Sequence, residues 1–158
     1  MIPVDIRLHQ ASRMLELVYS ATERYALSCE YLRVSSPSAE VRGHGPGQEV
    51  LQTGKRMVGI SAIEPIGNYA LQFTFTDGHD SGIYSWAYLH ELCLEQDQLW
   101  EAYLAQMTAA GASRVYFLYQ QDKLPEALLS LRREVARAVF EQRTSNAFAP
   151  PPKWLALG

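Results

Sequence analysis

The spacing of the apolar residues changes near position 88, and this change limits the fold more than any other feature of the chain. Up to Trp86, apolar and polar residues alternate in short runs broken by Gly, Pro and Ser, whereas from Tyr88 the apolar residues recur every three or four positions. Alternation marks a half-buried strand, and the wider spacing marks a helix with one apolar face. Strands first and helices afterwards predict an α+β fold: an antiparallel β meander packed by C-terminal helices, plus an extra C-terminal amphipathic helix.

In the first run, Val4, Ile6 and Leu8 share one face of a strand over Val4–His9, and Asp5, Arg7 and His9 share the other. A second strand is expected over Met14–Tyr19, a turn at Ser20-Ala21-Thr22-Glu23, and a third strand over Arg24–Val34. The stretch SSPSAEVRGHGPGQ, residues 35–48, holds two prolines, three glycines and three serines, the density of a surface loop. Strands over Met57–Pro65 and Tyr69–Thr76 follow, joined through Pro65-Ile66-Gly67-Asn68. Asp77-Gly78 is a hairpin signal, and Ser81–Trp86 reads as the return strand.

Leu89, Leu92, Cys93, Gln96, Leu99, Trp100, Tyr103, Leu104 and Met107 trace one helical stripe that should lie on the sheet. The run divides into two helices if Leu94-Glu95-Gln96-Asp97 interrupts it, and Gly111 is a natural stop. Beyond it, Val115–Tyr119 has the character of a short strand. Asp122 is placed to cap a helix from near Leu124, with Leu124, Leu128, Leu131, Val135 and Val139 on one side and Arg132, Arg133, Arg137 and Arg143 on the other. Ala149-Pro150-Pro151-Pro152-Lys153-Trp154 should be extended or disordered. The domain reading is therefore 1–111 for the main domain and 112–158 for an extension with an amphipathic helix and a Pro-rich end.

A chain of 158 residues suits one domain with an appendage. No window supplies the roughly 18 consecutive apolar residues of a membrane span, and MIPVDIRLHQ lacks a basic segment followed by an apolar run. The expected location is cytoplasmic. Residues 1–110 carry 13 acids and 7 bases, residues 111–158 carry 4 acids and 7 bases, and no Lys or Arg occurs from Met57 to Ser113. Such a body repels a phosphate backbone, so no nucleic-acid partner is expected.

The stretch FTDGHDSGIYSW places Asp77, His79 and Asp80 around Gly78. A facial-triad iron site would need His and the carboxylate separated by one residue, but His79 and Asp80 are adjacent. The favoured reading is a turn at Asp77-Gly78 capped by Asp80 or Ser81. GHGPGQ, residues 43–48, lacks the Lys of a phosphate-binding loop and reads as an irregular loop with glycines at positive φ. Cys29, His44, His79 and Cys93 are individually competent metal ligands, but they are scattered and contain no C-x-x-C pair. No nucleophile stands out: Ser36, Ser38 and Ser81 lie in turn-forming segments, there is no G-x-S-x-G, and no histidine is spaced to pair with a serine or cysteine.

Together, ALSCEYLRVSSPSAEVRGHGPGQ, IEPIGNY and FTDGHDSGIYSWAYL resemble the family of small bacterial proteins of unknown function that includes the N-terminal domain of gamma-butyrobetaine hydroxylase. The resemblance runs from about Pro3 to about Gly111. It implies a compact α+β domain with an antiparallel sheet, a domain that also occurs beside Mrp-type iron–sulfur cluster carrier ATPases. In the hydroxylases the domain holds zinc through three cysteines after a Leu-Arg pair and one later histidine. Here Leu32-Arg33 is followed by Ser36, Ser38 and Val41 at the cysteine positions, and only His79 matches a ligand.

The preferred function is a non-catalytic binding or interaction domain that lacks the cysteine zinc ligands. Its expected binding surface is Arg33, Arg42, His44, Gln48, Asp77, His79, Asp80, Tyr84 and Trp86, facing a protein partner or a second copy of the chain. No cofactor and no integral membrane segment are expected. The alternative is an accessory factor in iron or iron–sulfur metabolism, with zinc or iron at a residual metal site near His79 and Cys29. An enzyme using Asp77, His79 and Asp80 is the least favoured reading.

Overall fold

The computed structural model describes residues 1–115. Apart from Val115, the expected strand at Val115–Tyr119, the amphipathic helix and the Pro-rich end lie outside the described residues.

Strands β1 (Asp5–His9), β2 (Met14–Val18) and β3 (Arg24–Ser28) form an antiparallel sheet in the order β1-β2-β3. The register sets Ile6 opposite Leu17 and Leu8 opposite Leu15, with Leu15 also opposite Leu27. One face is therefore apolar, and Leu15, Leu17 and Leu27 are fully buried. The other face carries Arg7 opposite Glu16, with Arg24 reaching the same carboxylate. The β2–β3 turn closes where expected: the Ser20 hydroxyl accepts from the Thr22 and Glu23 amides.

The strand expected over Arg24–Val34 ends at Ser28, and helix α1 (Cys29–Val34) begins there. Ser28 keeps extended dihedrals while its hydroxyl accepts from the Tyr31 amide at 3.0 Å, which caps the helix. Over so short a run, Cys29 and Tyr31 keep a two-residue period while Cys29 and Leu32 keep a helical one, so alternation alone could not show the change. Within the expected loop, Ser38 likewise caps a single turn, α2 (Ala39–Arg42), through the Glu40 amide. Residues 43–59 then cross without regular structure. They are held by Val50 N–H to the Val41 carbonyl and by the Tyr103 hydroxyl on the Gln52 carbonyl.

The second antiparallel sheet has the order β4-β5-β6, from β4 (Ile60–Ile66), β5 (Ala70–Phe75) and β6 (Ile83–Ser85). Leu71, Phe73, Phe75 and Tyr84 turn inward, while Gln72 and Thr74 alternate with them. Trp86 belongs to a helix rather than to the return strand. Ser85 accepts from the Tyr88 amide and starts α3 (Trp86–Leu94).

A break at Glu95 separates α3 from α4 (Gln96–Ala109). Leu89, Leu92 and Cys93 of α3 reach the core, but in α4 only Tyr103 and Met107 are buried and Leu99 is exposed. The single stripe predicted through both helices is therefore not continuous, because the break re-aims the second helix. At its end, Ala112 N–H bonds the Met107 carbonyl and Gly111 N–H the Thr108 carbonyl, with Gly111 at φ 61°. This is the doubled closure that a left-handed glycine permits.

The sheets and helices share one core, and tyrosine hydroxyls bind its parts together. Tyr31 donates to the Leu92 carbonyl, Tyr84 to Leu32 and Tyr88 to Ser35. The last two satisfy carbonyls at the end of α1 that have no helical partner. Arg114 closes the unit Met1–Arg114: it makes a two-pronged ion pair with the buried Glu30, and its carbonyl accepts from the Arg56 amide.

Candidate functional site

The link from α1 to α2 and the β5–β6 hairpin meet at a cluster of hydroxyls around one imidazole. Asp77 builds the hairpin: its Oδ1 accepts from the His79 amide, and Gly78 N–H bonds the Phe75 carbonyl. The cap is thus Asp77 itself, not Asp80 or Ser81. The turn aims His79 inward, where its side chain is 3% exposed. Its Nε2 lies 2.8 Å from Ser36 Oγ and its Nδ1 3.2 Å from Glu40 Oε2. Beside this pair, Ser38 Oγ and Ser81 Oγ are 2.8 Å apart.

The proton arrangement follows from the partners. A carboxylate only accepts, so Nδ1 carries the imidazole hydrogen toward Glu40, and Nε2 offers its lone pair to the Ser36 hydroxyl. The Ser36 oxygen in turn accepts from the Ser38 amide at 3.3 Å. Burial, with the nearby Arg33 charge, lowers the His79 pKa, against the opposing pull of Glu40. Gly82 makes the close approach possible: a Cβ there would sit 2.4 Å from Ser36 Oγ.

Behind the hairpin, Arg33 Nε and Lys55 Nζ both reach Asp77 Oδ2, at 2.9 and 2.7 Å. Burial disfavours the Asp77 charge, but Lys55, the His79 amide and Arg33 outweigh it and hold the carboxyl below its usual range. Arg33 also donates to Gln52, which ties the irregular segment to α1.

The residues expected to form one exposed binding surface divide into two groups. Arg42, His44, Gln48 and Asp80 are exposed. Arg33, His79 and Tyr84 are buried, Tyr84 completely: the alternation of β6 sends Tyr84 to the core, the turn sends His79 inward, and Arg33 lies on the buried helix α1. Asp77 is engaged by its two cations, and half-buried Trp86 donates to the Asn68 carbonyl. In the glycine loop, Gly43 and Gly47 do take positive φ.

Cys29 is fully buried next to the Ile60 backbone, and burial pushes its thiol up, opposite to what a metal thiolate requires. Cys93 is pushed up to about 11 by burial. Among the described residues, no three His, Cys, Asp or Glu side chains group as metal ligands. A cavity of about 380 Å³ opens beside the cluster, with Ser36, Val41, Arg42, Val50, Tyr88 and Gln106 among its lining residues. Arg42 lies over the Tyr88 ring, 4.8 Å from its centre.

The pairing of Ser36 with His79 was not visible in the sequence, because 43 residues separate them and no local spacing links them. The one signal was the set of positions implied by the family resemblance. Ser36, Ser38 and His79, at three of the four hydroxylase-type ligand positions, do meet in one cluster, and the fourth, Val41, is buried on α2.

A family model described as gamma-butyrobetaine hydroxylase-like, N-terminal, matches residues 6–90, more than half of the chain. The chain belongs to this family. Two NMR solution structures are similar to this family member at 50% identity each. The first has a TM-score of 0.64 and covers 78% of this chain and 96% of its own. The second has a TM-score of 0.61 and covers 72% of this chain and 84% of its own. A crystal structure from Acidithiobacillus ferrooxidans, of a DUF971-family protein with unknown function, is 36% identical over 57% of this chain and 90% of its own, with a TM-score of 0.48. No curated protein matches this gamma-butyrobetaine hydroxylase-like N-terminal domain. Among its described residues, no helix is long and apolar enough to cross a membrane.

Proposed function

We propose that the chain is a small, non-catalytic binding domain of the cytoplasm that recognises a protein partner. One observation carries this reading: Ser36, Ser38 and His79, at three of the four positions where the resemblance implies zinc ligands, are joined to one another by hydrogen bonds. Buried polar groups satisfied in this way hold the α1–α2 link and the hairpin together, at the positions where the resemblance implies a zinc site. Recognition then falls to the neighbouring exposed segment, where Arg42, Glu49 and Val50 border the cavity and His44 and Gln48 are exposed between them.

The first test is elemental analysis of untagged protein purified anaerobically without chelators, together with Cys29→Ser and His79→Ala. A folded protein without stoichiometric metal agrees with the proposal. Near-stoichiometric zinc or iron that disappears in either variant would replace it with the accessory role in iron or iron–sulfur metabolism. For the partner itself, a photo-crosslinking residue at His44 in cells should capture one protein species, and the same probe at Asp5, on the far sheet, should not. A second copy of this chain as the captured species would make the partner a homo-oligomer.

A further inference from the structure

We propose that Ser36 is a covalent modification site whose hydroxyl takes the acyl group of a small activated ester or thioester entering the neighbouring cavity. The order of groups is that of an assisted hydroxyl: Ser36 Oγ at 2.8 Å from His79 Nε2, and Nδ1 at 3.2 Å from the Glu40 carboxylate. The Glu40 acceptor sets the tautomer, so the lone pair that would receive the serine proton already faces it. Gly82 leaves the space that this hydroxyl occupies.

The cavity gives the class of reagent. Its volume of about 380 Å³ suits a small molecule, and Val34, Val41, Val50 and Leu51 supply an apolar lining for an acyl chain. Ser36 is on its wall.

In the reaction the Oγ–carbonyl bond forms and the bond from the carbonyl to the leaving oxygen or sulfur breaks. The serine proton passes to Nε2 and then to the departing alkoxide or thiolate, so no further reactant is consumed. The reaction is stoichiometric. Ser36 is 1% exposed, so the reagent reaches it from the cavity that it lines. Single acylation is compatible with a binding role and goes beyond it.

The test treats the full chain with diisopropyl fluorophosphate, in which the Oγ–P bond replaces P–F and fluoride leaves. Cleavage after Arg33 and Arg42 isolates VSSPSAEVR, and fragmentation distinguishes Ser35, Ser36 and Ser38. Exposed Ser12 and Ser61 serve as internal references. The proposal expects Ser36 to react about 100-fold faster than either reference. It also expects Glu40→Gln, at an exposed position, to slow the reaction by about tenfold. A cluster that is only structural would make Ser36 among the slowest serines, because it is buried. That order of reactivity, or equal rates in wild type and Glu40→Gln, would overturn the proposal.

Discussion

Ser36 Oγ and His79 Nε2 lie 2.8 Å apart, and the hydrogen bond between them joins the end of α1 to the β5–β6 hairpin. What makes room for it is the residue three positions past the histidine.

A methyl group at Gly82 would meet Ser36 Oγ at 2.4 Å, Pro37 Cδ at 3.2 Å and Tyr84 Cε1 at 3.3 Å. Gly82→Ala should therefore destabilise the fold by about 1–3 kcal/mol, the usual cost of overpacking. In a Ser36→Ala background the closest of these contacts is gone, so the same change should cost less. Urea denaturation of the four proteins of this cycle measures the coupling, and strict additivity would show that the two sites do not touch.

The pH dependence of stability should show His79. Its folded-state pKa lies below the ordinary 6.5, so as the pH falls the unfolded chain takes up a proton before the folded one does. The contribution is complete above the ordinary value and is lost as the pH falls from there through the folded value. Asp77 acts in the same direction only near and below 3.8, below the pH range measured for His79. Urea midpoints measured from pH 7.5 down to pH 5 should decline in the wild type and stay flatter in His79→Gln.

Tyr84→Phe removes a buried hydroxyl that donates to the Leu32 carbonyl at 2.6 Å. Nothing else in the side chain changes, and the carbonyl is left without its tyrosine donor at the end of α1. The expected cost is about 1–3 kcal/mol, read as a lowered midpoint of thermal or urea unfolding.

Arg114→Ala leaves Glu30, whose side chain is 5% exposed, without its two-pronged partner. Arg114 also covers the Trp100 ring, with its guanidinium carbon 5.0 Å from the ring centre. The loss should reach about 2–4 kcal/mol, between the values for exposed and buried pairs. Glu30→Gln, which removes the buried charge together with the pair, should cost less. The reverse order would show that the Glu30 carboxylate is not stranded by loss of Arg114, so that an unpaired buried charge does not set the cost.

Much of the fold was legible because it depends on local chemistry. Ile6 and Leu8 alternate with Arg7, Ser20 sits where its hydroxyl can close a turn, and Asp77-Gly78 announces a hairpin. Gly111 ends a helix by the one backbone conformation that glycine adopts cheaply. The errors fell where two periods fit the same few residues. Cys29 and Tyr31 were read as strand because only the Ser28 cap separates the two readings, and Trp86 was placed in a strand for the same reason at Ser85.

The site was less legible than the fold. Tyr84 and His79 were expected on an exposed surface, but the direction of a side chain at a short edge strand depends on what packs over it. Ser36 carried no local mark at all. The sequence by itself determined the α+β class and the order of most elements, because propensity, periodicity and residue identity act over a few neighbours. Only the tertiary structure decided that Ser36, Glu40 and His79 form one hydrogen-bonded line beside a cavity. That arrangement requires chain segments some 40 residues apart to approach to 2.8 and 3.2 Å, and long-range packing sets it.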